Sequence, residues 1–231
     1  MKKHLGSILD IIIIITSLFT MISYGQHKEY IYEQNIIYTR KLQEQARILE
    51  ENKHKLREYR EYYNNNDIVG SLKIEGTKID TLLVKGKDND YYLNRGVDGK
   101  YNTVGTIYVD YRTPLDSKQI NIYGHNSWYY DIPFRDLEKY LKEDFYKEHK
   151  YINLWTGKVD TIYEIFSIQI VTTDYEHMIV EPKDMKEHIE KLSKSIYETG
   201  VEVTENDSIL VLQTCNFNPK DTFIVIYAKK I

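Results

Sequence analysis

The sequence predicts a mainly β protein whose strands form a closed or nearly closed barrel. Short runs of β-branched and aromatic residues recur from Ile68 onward and are separated by turn residues, and about eight such runs can be recognised. Only two short helical patterns interrupt them, and strands do not alternate with helices as they would in a parallel βαβ sheet. A long helix is predicted before the first strand.

The predicted elements follow from local patterns. The strand predictions cover residues 68–74, 79–84, 103–110, 119–123, 151–155, 158–172, 208–214 and 222–228. Glycine or proline marks the turns between several of them, as in Glu75-Gly76 and Thr156-Gly157. The helical patterns cover residues 133–140 and 184–198, and the second has apolar residues at a spacing of three to four and Gly200 as its stop signal.

Residues 27–63 contain no glycine or proline and are dense in Glu, Lys, Arg and Gln, which predicts a helix. Apolar residues recur in it at rough heptad spacing, but Lys53 and Arg60 fall on the same stripe. A solvated stalk whose C-terminal half packs on the following domain is therefore favoured, and a coiled-coil dimer is the alternative. The polar run at 64–67 ends the helix and marks a domain boundary.

The N-terminus predicts a membrane attachment. Lys2 and Lys3 precede an apolar stretch at 5–24, about 20 residues long and interrupted by Asp10, which is close to the span of a bilayer core. The small-residue site that signal peptidase needs is poor here, so an uncleaved anchor is favoured over a cleaved signal peptide. The predicted organisation is a membrane anchor at 1–25, a stalk and helical region at 26–66, and an extracytoplasmic β-barrel domain at 67–231.

Composition excludes several classes of function. The formal net charge of −4 leaves no basic footprint for nucleic acid. A single cysteine excludes an internal disulfide framework and a cysteine-based metal site. Asp88, Asp90 and Asp110 are scattered turn carboxylates, for which solvation is favoured over a calcium site. Neither a metal nor another cofactor is expected.

The single cysteine, Cys215, follows a β-rich run and is thus presented at a strand end. A buried small hydrophobe is the alternative to a nucleophile. A cysteine nucleophile needs a nearby base or cation that favours its thiolate. Of the seven histidines, His125 follows the predicted strand 119–123 directly, and Gly124 before it permits a close backbone approach. Either residue alone would usually be structural, but two strand-end residues of these types can converge at one barrel rim.

The two motifs resemble the signature of a known family. Tyr-Gly-His-Asn at 123–126 and Leu-Gln-Thr-Cys at 212–215 are similar to the paired motifs of the sortases, the cysteine transpeptidases of Gram-positive bacteria. His125 precedes Cys215 by 90 residues, as the family pattern requires. The resemblance extends over residues 68–231 and includes segments 88–93 and 105–112. The long N-terminal helix and the helix between the late strands resemble class B, which implies a closed eight-stranded barrel.

The resemblance implies a reaction. Cys215 would attack the carbonyl after the threonine of a sorting motif of the Asn-Pro-x-Thr kind, near the C-terminus of a surface protein. His125 would protonate the departing amine. An amine of a peptidoglycan precursor would then resolve the thioacyl-enzyme. Thr214 would either contact the substrate backbone or serve strand packing.

One position departs from the family pattern. Sortases carry an arginine on the strand after the cysteine, and the aligned position here is Phe223, while the last arginine of the chain is Arg135. The substitutes considered are Lys220 in the intervening loop and, from other loops, Arg95 or Arg112. Otherwise the enzyme is slow and relies on backbone amides. An inactive domain that binds sorting motifs, and a plain cysteine hydrolase, are the rival functions.

Overall fold

The structure is a computed structural model that describes residues 2–172 and 178–231, with side chains described from residue 14 onward. The chain divides into two compact units, Met1–Glu51 and Asn52–Ile231. Helix α1 (Lys2–Tyr63) includes the described residues of the first unit and the first turns of the second. The predicted helix at 27–63 is therefore confirmed. Part of the predicted anchor at 5–24 falls on residues whose side chains lie outside the description.

Within the described ranges, no helix combines the length and the apolar character needed to cross a membrane.

The second unit contains a closed eight-stranded barrel, as predicted. Its strands are β1 (Ile68–Lys73), β2 (Asp80–Val84), β3 (Tyr108–Val109), β4 (Gln119–Tyr123), β5 (Tyr151–Trp155), β6 (Asp160–Val171), β7 (Ile209–Asn216) and β8 (Thr222–Lys230). Their order around the barrel is β1-β2-β3-β4-β7-β8-β6-β5, and β5 pairs with β1 to close it. Helices α2 (Glu143–Glu148) and α3 (Met185–Leu192) and two 3-10 helices (Tyr91–Asn94 and Pro133–Leu141) lie in the connections.

Two strand pairings position the site. Strands β4 and β7 run parallel, and Tyr123 is the register partner of Gln213. Their carboxyl ends therefore meet at the same edge of the barrel, where the chain continues into residues 124–126 and 214–216. Strand β8 returns antiparallel to β7, which places Phe223 directly opposite Cys215.

The barrel interior is a single apolar core. Leu72, Ile122, Leu212 and Ile226 are fully buried in it, and burying each side chain stabilises the fold by about 1.5–3 kcal/mol. The 3-10 helix Pro133–Leu141 contributes three of its side chains to the same core: Phe134, Leu137 and Tyr140. The interior of the barrel is thus filled by packed side chains.

Two smaller apolar clusters cover the outside of the barrel. On one side, Ile189 and Leu192 of α3 pack against Val211 and Val225. On the other, Leu56, Tyr59 and Tyr63 at the end of α1 pack against a cluster of buried residues from β1, β2 and the 3-10 helix: Ile68, Val84 and Tyr92 with Tyr108 and Tyr123. This second contact agrees with the predicted packing of the C-terminal part of the helix on the domain.

Some predicted elements are shorter than expected. The strand predicted at 103–110 is reduced to Tyr108–Val109, because Gly105 has a φ of +62° and a side chain there would meet Leu93 O and Tyr92 O at 2.6 Å. The helix predicted at 184–198 ends at Leu192, after which Ser195 Oγ accepts a hydrogen bond from Ile168 N of β6 at 3.0 Å. These segments form tertiary bonds in place of local secondary structure.

Candidate active site

Cys215 is the penultimate residue of β7, and its exposed side chain lines a cavity of about 270 Å³. The alternative interpretation of Cys215 as a buried hydrophobe is therefore wrong. The cavity is walled by residues from β3, β4, β7, β8 and three connections: Asn89, Asp90, Leu93, Tyr108, Tyr123, Gly124, His125, Met178, Gln213, Thr214 and Phe223. Partial burial among these walls raises the pKa of the Cys215 thiol above its ordinary value.

His125 lines the same cavity from the end of β4. Gly124 N donates to Gln213 O at 3.2 Å, which extends the β4–β7 ladder one residue beyond the strand. A side chain at Gly124 would meet the Phe134 ring at 2.6 Å, so the predicted need for a close backbone approach there is confirmed. His125 Nε2 lies 2.8 Å from Leu93 O. Because a carbonyl can only accept, Nε2 carries a proton and Nδ1 is the nitrogen left for chemistry.

The residues next to the pair hold the two motifs together. Thr214 Oγ1 donates to Gly124 O at 2.8 Å, so the hydroxyl of Thr214 bonds to the protein backbone while the residue also lines the cavity. Asn126 Nδ2 donates to Cys215 O at 2.9 Å and to Glu138 Oε1 at 2.6 Å. Each motif thereby contributes a side chain to the backbone of the other motif.

Phe223 occupies the position where the family pattern has arginine, and it lines the cavity opposite Cys215. Its half-buried ring also packs against the apolar cluster formed with α3. The side chain of Phe223 therefore supplies an apolar wall, and its ring has no N–H or O–H group to donate to a developing oxyanion.

The cationic residues proposed as substitutes for the arginine are placed elsewhere. Lys220 is exposed in the turn between β7 and β8 and is absent from the described walls of the cavity. The guanidinium of Arg95 stacks on the Tyr91 ring, 4.4 Å from its centroid, and donates to Tyr91 O at 3.1 Å. Arg112 pairs with Asp110: Nη2 lies 2.6 Å from Oδ2 and Nε lies 3.0 Å from Oδ1. The structure does not bring any of the three to the walls that surround Cys215.

Buried Asp110 and partly exposed Arg112 form an ion pair beside the cavity, and the sequence did not reveal this pairing. Asp110 is fully buried, and its Oδ2 also accepts a hydrogen bond from Tyr123 Oη at 2.9 Å. Arg112 Nη2 donates a hydrogen bond to Met178 O at 3.1 Å. Burial acts to raise the pKa of Asp110, but the hydrogen bonds from Arg112, Tyr123 and Asn89 outweigh it and hold the pKa below its usual range. The pair thus holds two cavity walls, Tyr123 and Met178.

No group of three His, Cys, Asp or Glu side chains that could hold a metal ion occurs among residues 14–172 and 178–231, whose side chains are described.

Asn126, Glu138 and the Leu93 carbonyl complete the site, and the sequence did not reveal their roles. Asn126 and Leu93 fall inside segments that carry the family resemblance, which is the only signal that could have singled them out. Their contacts span 89 and 32 residues of chain respectively, so no local pattern encodes them.

Comparison with known proteins places this geometry in a family. The model of the sortase domain matches residues 72–231. Sortase B of Listeria monocytogenes is 36% identical over 159 residues, which cover 66% of this chain and 64% of that protein. Sortase B of Staphylococcus aureus is 31% identical over 178 residues, which cover 72% of this chain and 71% of that protein.

Solved structures agree with this assignment. Sortase B of Clostridium perfringens superposes with a TM-score of 0.70 at 29% identity, covering 76% of this chain and 98% of that chain. A Staphylococcus aureus sortase B–substrate complex superposes with a TM-score of 0.68 at 27% identity, covering 83% and 97%. With its closed barrel, its exposed Cys215 and His125 in one cavity, and these relatives, the chain belongs to the sortase family of cysteine transpeptidases, and its relatives are sortases of class B.

Proposed function

We propose that this protein cleaves a C-terminal sorting motif after its threonine and transfers the acyl group to an amine of a cell-wall precursor. The observation that carries this proposal is that Cys215 and His125 line one cavity at the barrel edge where β4 and β7 end. A sorting motif of the Asn-Pro-x-Thr kind is the expected substrate. Sortase B of Staphylococcus aureus, to which this chain is similar, has been solved as a substrate complex, and this supports substrate binding by the present protein.

The reaction proceeds in two halves. The thiol proton of Cys215 first passes to Nδ1 of His125, and the resulting thiolate adds to the carbonyl carbon of the motif threonine. The tetrahedral intermediate collapses when His125 gives that proton to the departing amine. A thioester between Cys215 and the threonine acyl group remains. An incoming amine then adds to the same carbon and loses its proton to His125, and the Cys215 thiolate leaves. The net change is exchange of one amide for another, and no redox or hydrolytic step is needed.

Nδ1 of His125 is the nitrogen suited to this proton transfer, because Nε2–H donates to Leu93 O. The carbonyl of Leu93 therefore fixes the tautomer and the plane of the ring, a role that carboxylates and carbonyls play for other catalytic histidines. Leu93 belongs to the 3-10 helix Tyr91–Asn94, which is anchored by the buried side chain of Tyr92.

Oxyanion stabilisation is expected to be the weak step. Loss of one well-placed oxyanion donor typically costs about 10²–10³ in rate. With Phe223 in the cavity wall, backbone amides near Cys215 are left to stabilise the intermediate, or the exposed Lys220 in the turn between β7 and β8 contributes on substrate binding. We expect activity because both the nucleophile and the acid are retained, and we expect a slow rate because the arginine is absent.

Membrane attachment through residues 5–24 is part of the proposal. It is supported by Lys2 and Lys3 before the apolar stretch, which would leave the N-terminus inside and the barrel outside the cell. A cell-surface location would bring the enzyme to both of its proposed substrates, the surface protein and the cell-wall amine.

The direct test incubates the purified full chain with a peptide that carries an Asn-Pro-x-Thr motif, with and without a glycine-type or diaminopimelate-type amine. The wild type should cleave the peptide and join its acyl part to the amine, while Cys215→Ala should do neither. Equal turnover by the two proteins would exclude the mechanism. Product release that is equally fast without an amine would indicate a hydrolase.

The second candidate function is a domain that binds sorting motifs without cleaving them. The one observation in its favour is Phe223 at the arginine position. It predicts saturable binding of the peptide, with no thioacyl adduct on Cys215 in the mass spectrum of the protein after incubation.

A further inference from the structure

The contact between the β4 and β7 ends does not stop where the backbone ladder stops. The last backbone bond of the pair runs from Gly124 N to Gln213 O. Beyond it, the hydroxyl of Thr214 bonds to Gly124 O, and the amide of Asn126 bonds to Cys215 O. These side-chain bonds continue the connection past both catalytic residues, so His125 lies between two points at which its loop is tied to β7.

Asn126 is well suited to act as a rigid tie. Its side chain is 9% exposed, and the two groups that it faces, Cys215 O and the Glu138 carboxylate, both accept hydrogen bonds. The NH₂ group must therefore face both of them, which fixes the orientation of the amide. The amide oxygen is buried without a protein partner, a local cost of the kind that folds tolerate at functional sites.

Glu138 anchors this amide to the barrel core. It belongs to the 3-10 helix Pro133–Leu141, whose neighbouring side chain Leu137 is fully buried in the core. The chain of contacts thus runs from the core through Glu138 and Asn126 to the main chain of Cys215. Asn126 is not among the described residues that line the cavity, so it acts on the reaction only through Cys215 and His125.

We propose that Asn126, held by Glu138, is the positioning residue that sets the placement of the Cys215 thiol relative to His125. The proposal rests on the proposed transpeptidase function and deepens it. Catalysis is sensitive to such placement, since a misplacement of about 1 Å can cost about 10²-fold in rate. Removing the amide frees the peptide group of Cys215 and leaves the Glu138 carboxylate without its amide donor.

The kinetic test compares four variants of the full chain with one matched control. Asn126→Ala should lower kcat by about 10–100-fold and leave KM for the peptide within about twofold, because substrate-lining residues are unchanged. Glu138→Gln retains an accepting oxygen and should keep a higher kcat than Glu138→Ala, which should lose part of kcat. The double variant Asn126→Ala/Glu138→Ala should be no slower than Asn126→Ala, because the two residues act as one unit.

Gln169→Ala is the matched control. The Gln169 amide also donates to two main-chain carbonyls, Lys191 O at 3.1 Å and Leu192 O at 2.7 Å, but on the α3 side of the barrel. Its loss should lower the unfolding temperature without changing kcat. If Gln169→Ala and Asn126→Ala show the same fall in kcat for the same fall in unfolding temperature, Asn126 is merely structural and the proposal is overturned. Wild-type kcat in Asn126→Ala overturns it as well.

Alkylation of Cys215 by iodoacetamide separates this proposal from the proposed function. At pH 7, Asn126→Ala should react several-fold more slowly than the wild type and approach the rate of His125→Ala, because a displaced thiol loses the support of the imidazole for its thiolate. The three proteins should converge at high pH. This measurement needs no sorting peptide, so it reports on Asn126 even if no peptide is turned over. Equal alkylation rates of Asn126→Ala and the wild type at every pH would overturn the proposal.

Discussion

Cys215 and Phe223 are register partners in the antiparallel ladder of β7 and β8, and both line the cavity that also contains His125. Directly opposed residues in such a ladder have their Cβ atoms about 4.5–5.5 Å apart. The side chain at 223 is therefore placed beside the nucleophile by the strand register itself. Its chemical nature decides whether this wall of the cavity stabilises negative charge.

Phe223→Arg is expected to raise kcat for a sorting peptide. A guanidinium opposite Cys215 could donate to the oxyanion, and one such donor is worth about 10²–10³ in rate. The measurement is steady-state cleavage of the peptide, with Phe223→Leu as the control that changes packing without adding a donor. A kcat for Phe223→Arg no higher than that for Phe223→Leu would show that the arginine position does not limit this enzyme.

Alkylation of Cys215 should require a higher pH than alkylation of an ordinary thiol. Partial burial raises the thiol pKa, so at a given pH a smaller fraction is present as thiolate than in a free cysteine, whose pKa is about 8.5. The rate of alkylation should increase with pH and reach its midpoint above that of a cysteine in a short peptide measured in parallel. A midpoint below the peptide value would contradict this expectation.

Stability at low pH should depend on Asp110. Its pKa in the folded protein is below the usual value of about 3.9, so its contribution is present above that pH and is lost as the pH falls through the folded-state pKa. The unfolding temperature of the wild type should fall more steeply between pH 5 and pH 2 than that of Asp110→Asn. Parallel curves for the two proteins would show that Asp110 does not carry this dependence.

Removing the Asp110 carboxylate at neutral pH should also be destabilising. Asp110→Ala removes the carboxylate that pairs with Arg112. Breaking a fully buried ion pair by removing one partner costs about 3–5 kcal/mol. Because the Arg112 side chain is 39% exposed, we expect a smaller loss, about 2–3 kcal/mol in the free energy of unfolding by urea. Lys147→Ala, which removes one partner of an exposed pair with Glu143, is the matched control and should change stability by less than about 1 kcal/mol.

Gly124→Ala should impair both folding and catalysis. The new methyl group would meet the Phe134 ring at 2.6 Å, and overpacking of this kind costs about 1–3 kcal/mol. The shift should move His125, so kcat should fall more than the loss of stability explains. Combination with Phe134→Leu should restore part of both. Gly25→Ala, where nothing lies within 4 Å of the new methyl group, should leave kcat unchanged.

Much of the fold could be predicted because its strands are encoded locally. Strand β4 at Gln119–Tyr123 and strand β5 at Tyr151–Trp155 coincide with their predicted bounds, since each is a short run of β-forming residues. The region before β3 could not be predicted in the same way. Its backbone is determined by Gly105, which packs against carbonyls of the 3-10 turn at 91–94, and this contact depends on tertiary structure.

The sequence predicts Cys215 and His125 as a catalytic pair, but it does not predict the contacts that hold these two residues in place. Cys215 and His125 stand at strand ends within recognisable motifs, and the structure places both in one cavity. The predicted roles of Thr214 and Lys220 toward a substrate stay predictions; Thr214 bonds to Gly124 O, and Lys220 is exposed outside the described cavity walls. Whether Arg112 could substitute for the missing arginine could not be judged from the sequence, because its pairing with Asp110 depends on how the turn at 110–113 is buried.

The sequence alone predicts Cys215 as the nucleophile, His125 as the histidine that serves it and the number of strands, and it contains no arginine after Cys215. These properties depend on residue types and local spacing. The fold decides the rest: Phe223 becomes a wall of the cavity through the β7–β8 register, and Asn126 ties His125 to Cys215 across 89 residues of chain. Such contacts arise only when distant segments are brought together by burial of the barrel core, so no stretch of sequence encodes them separately.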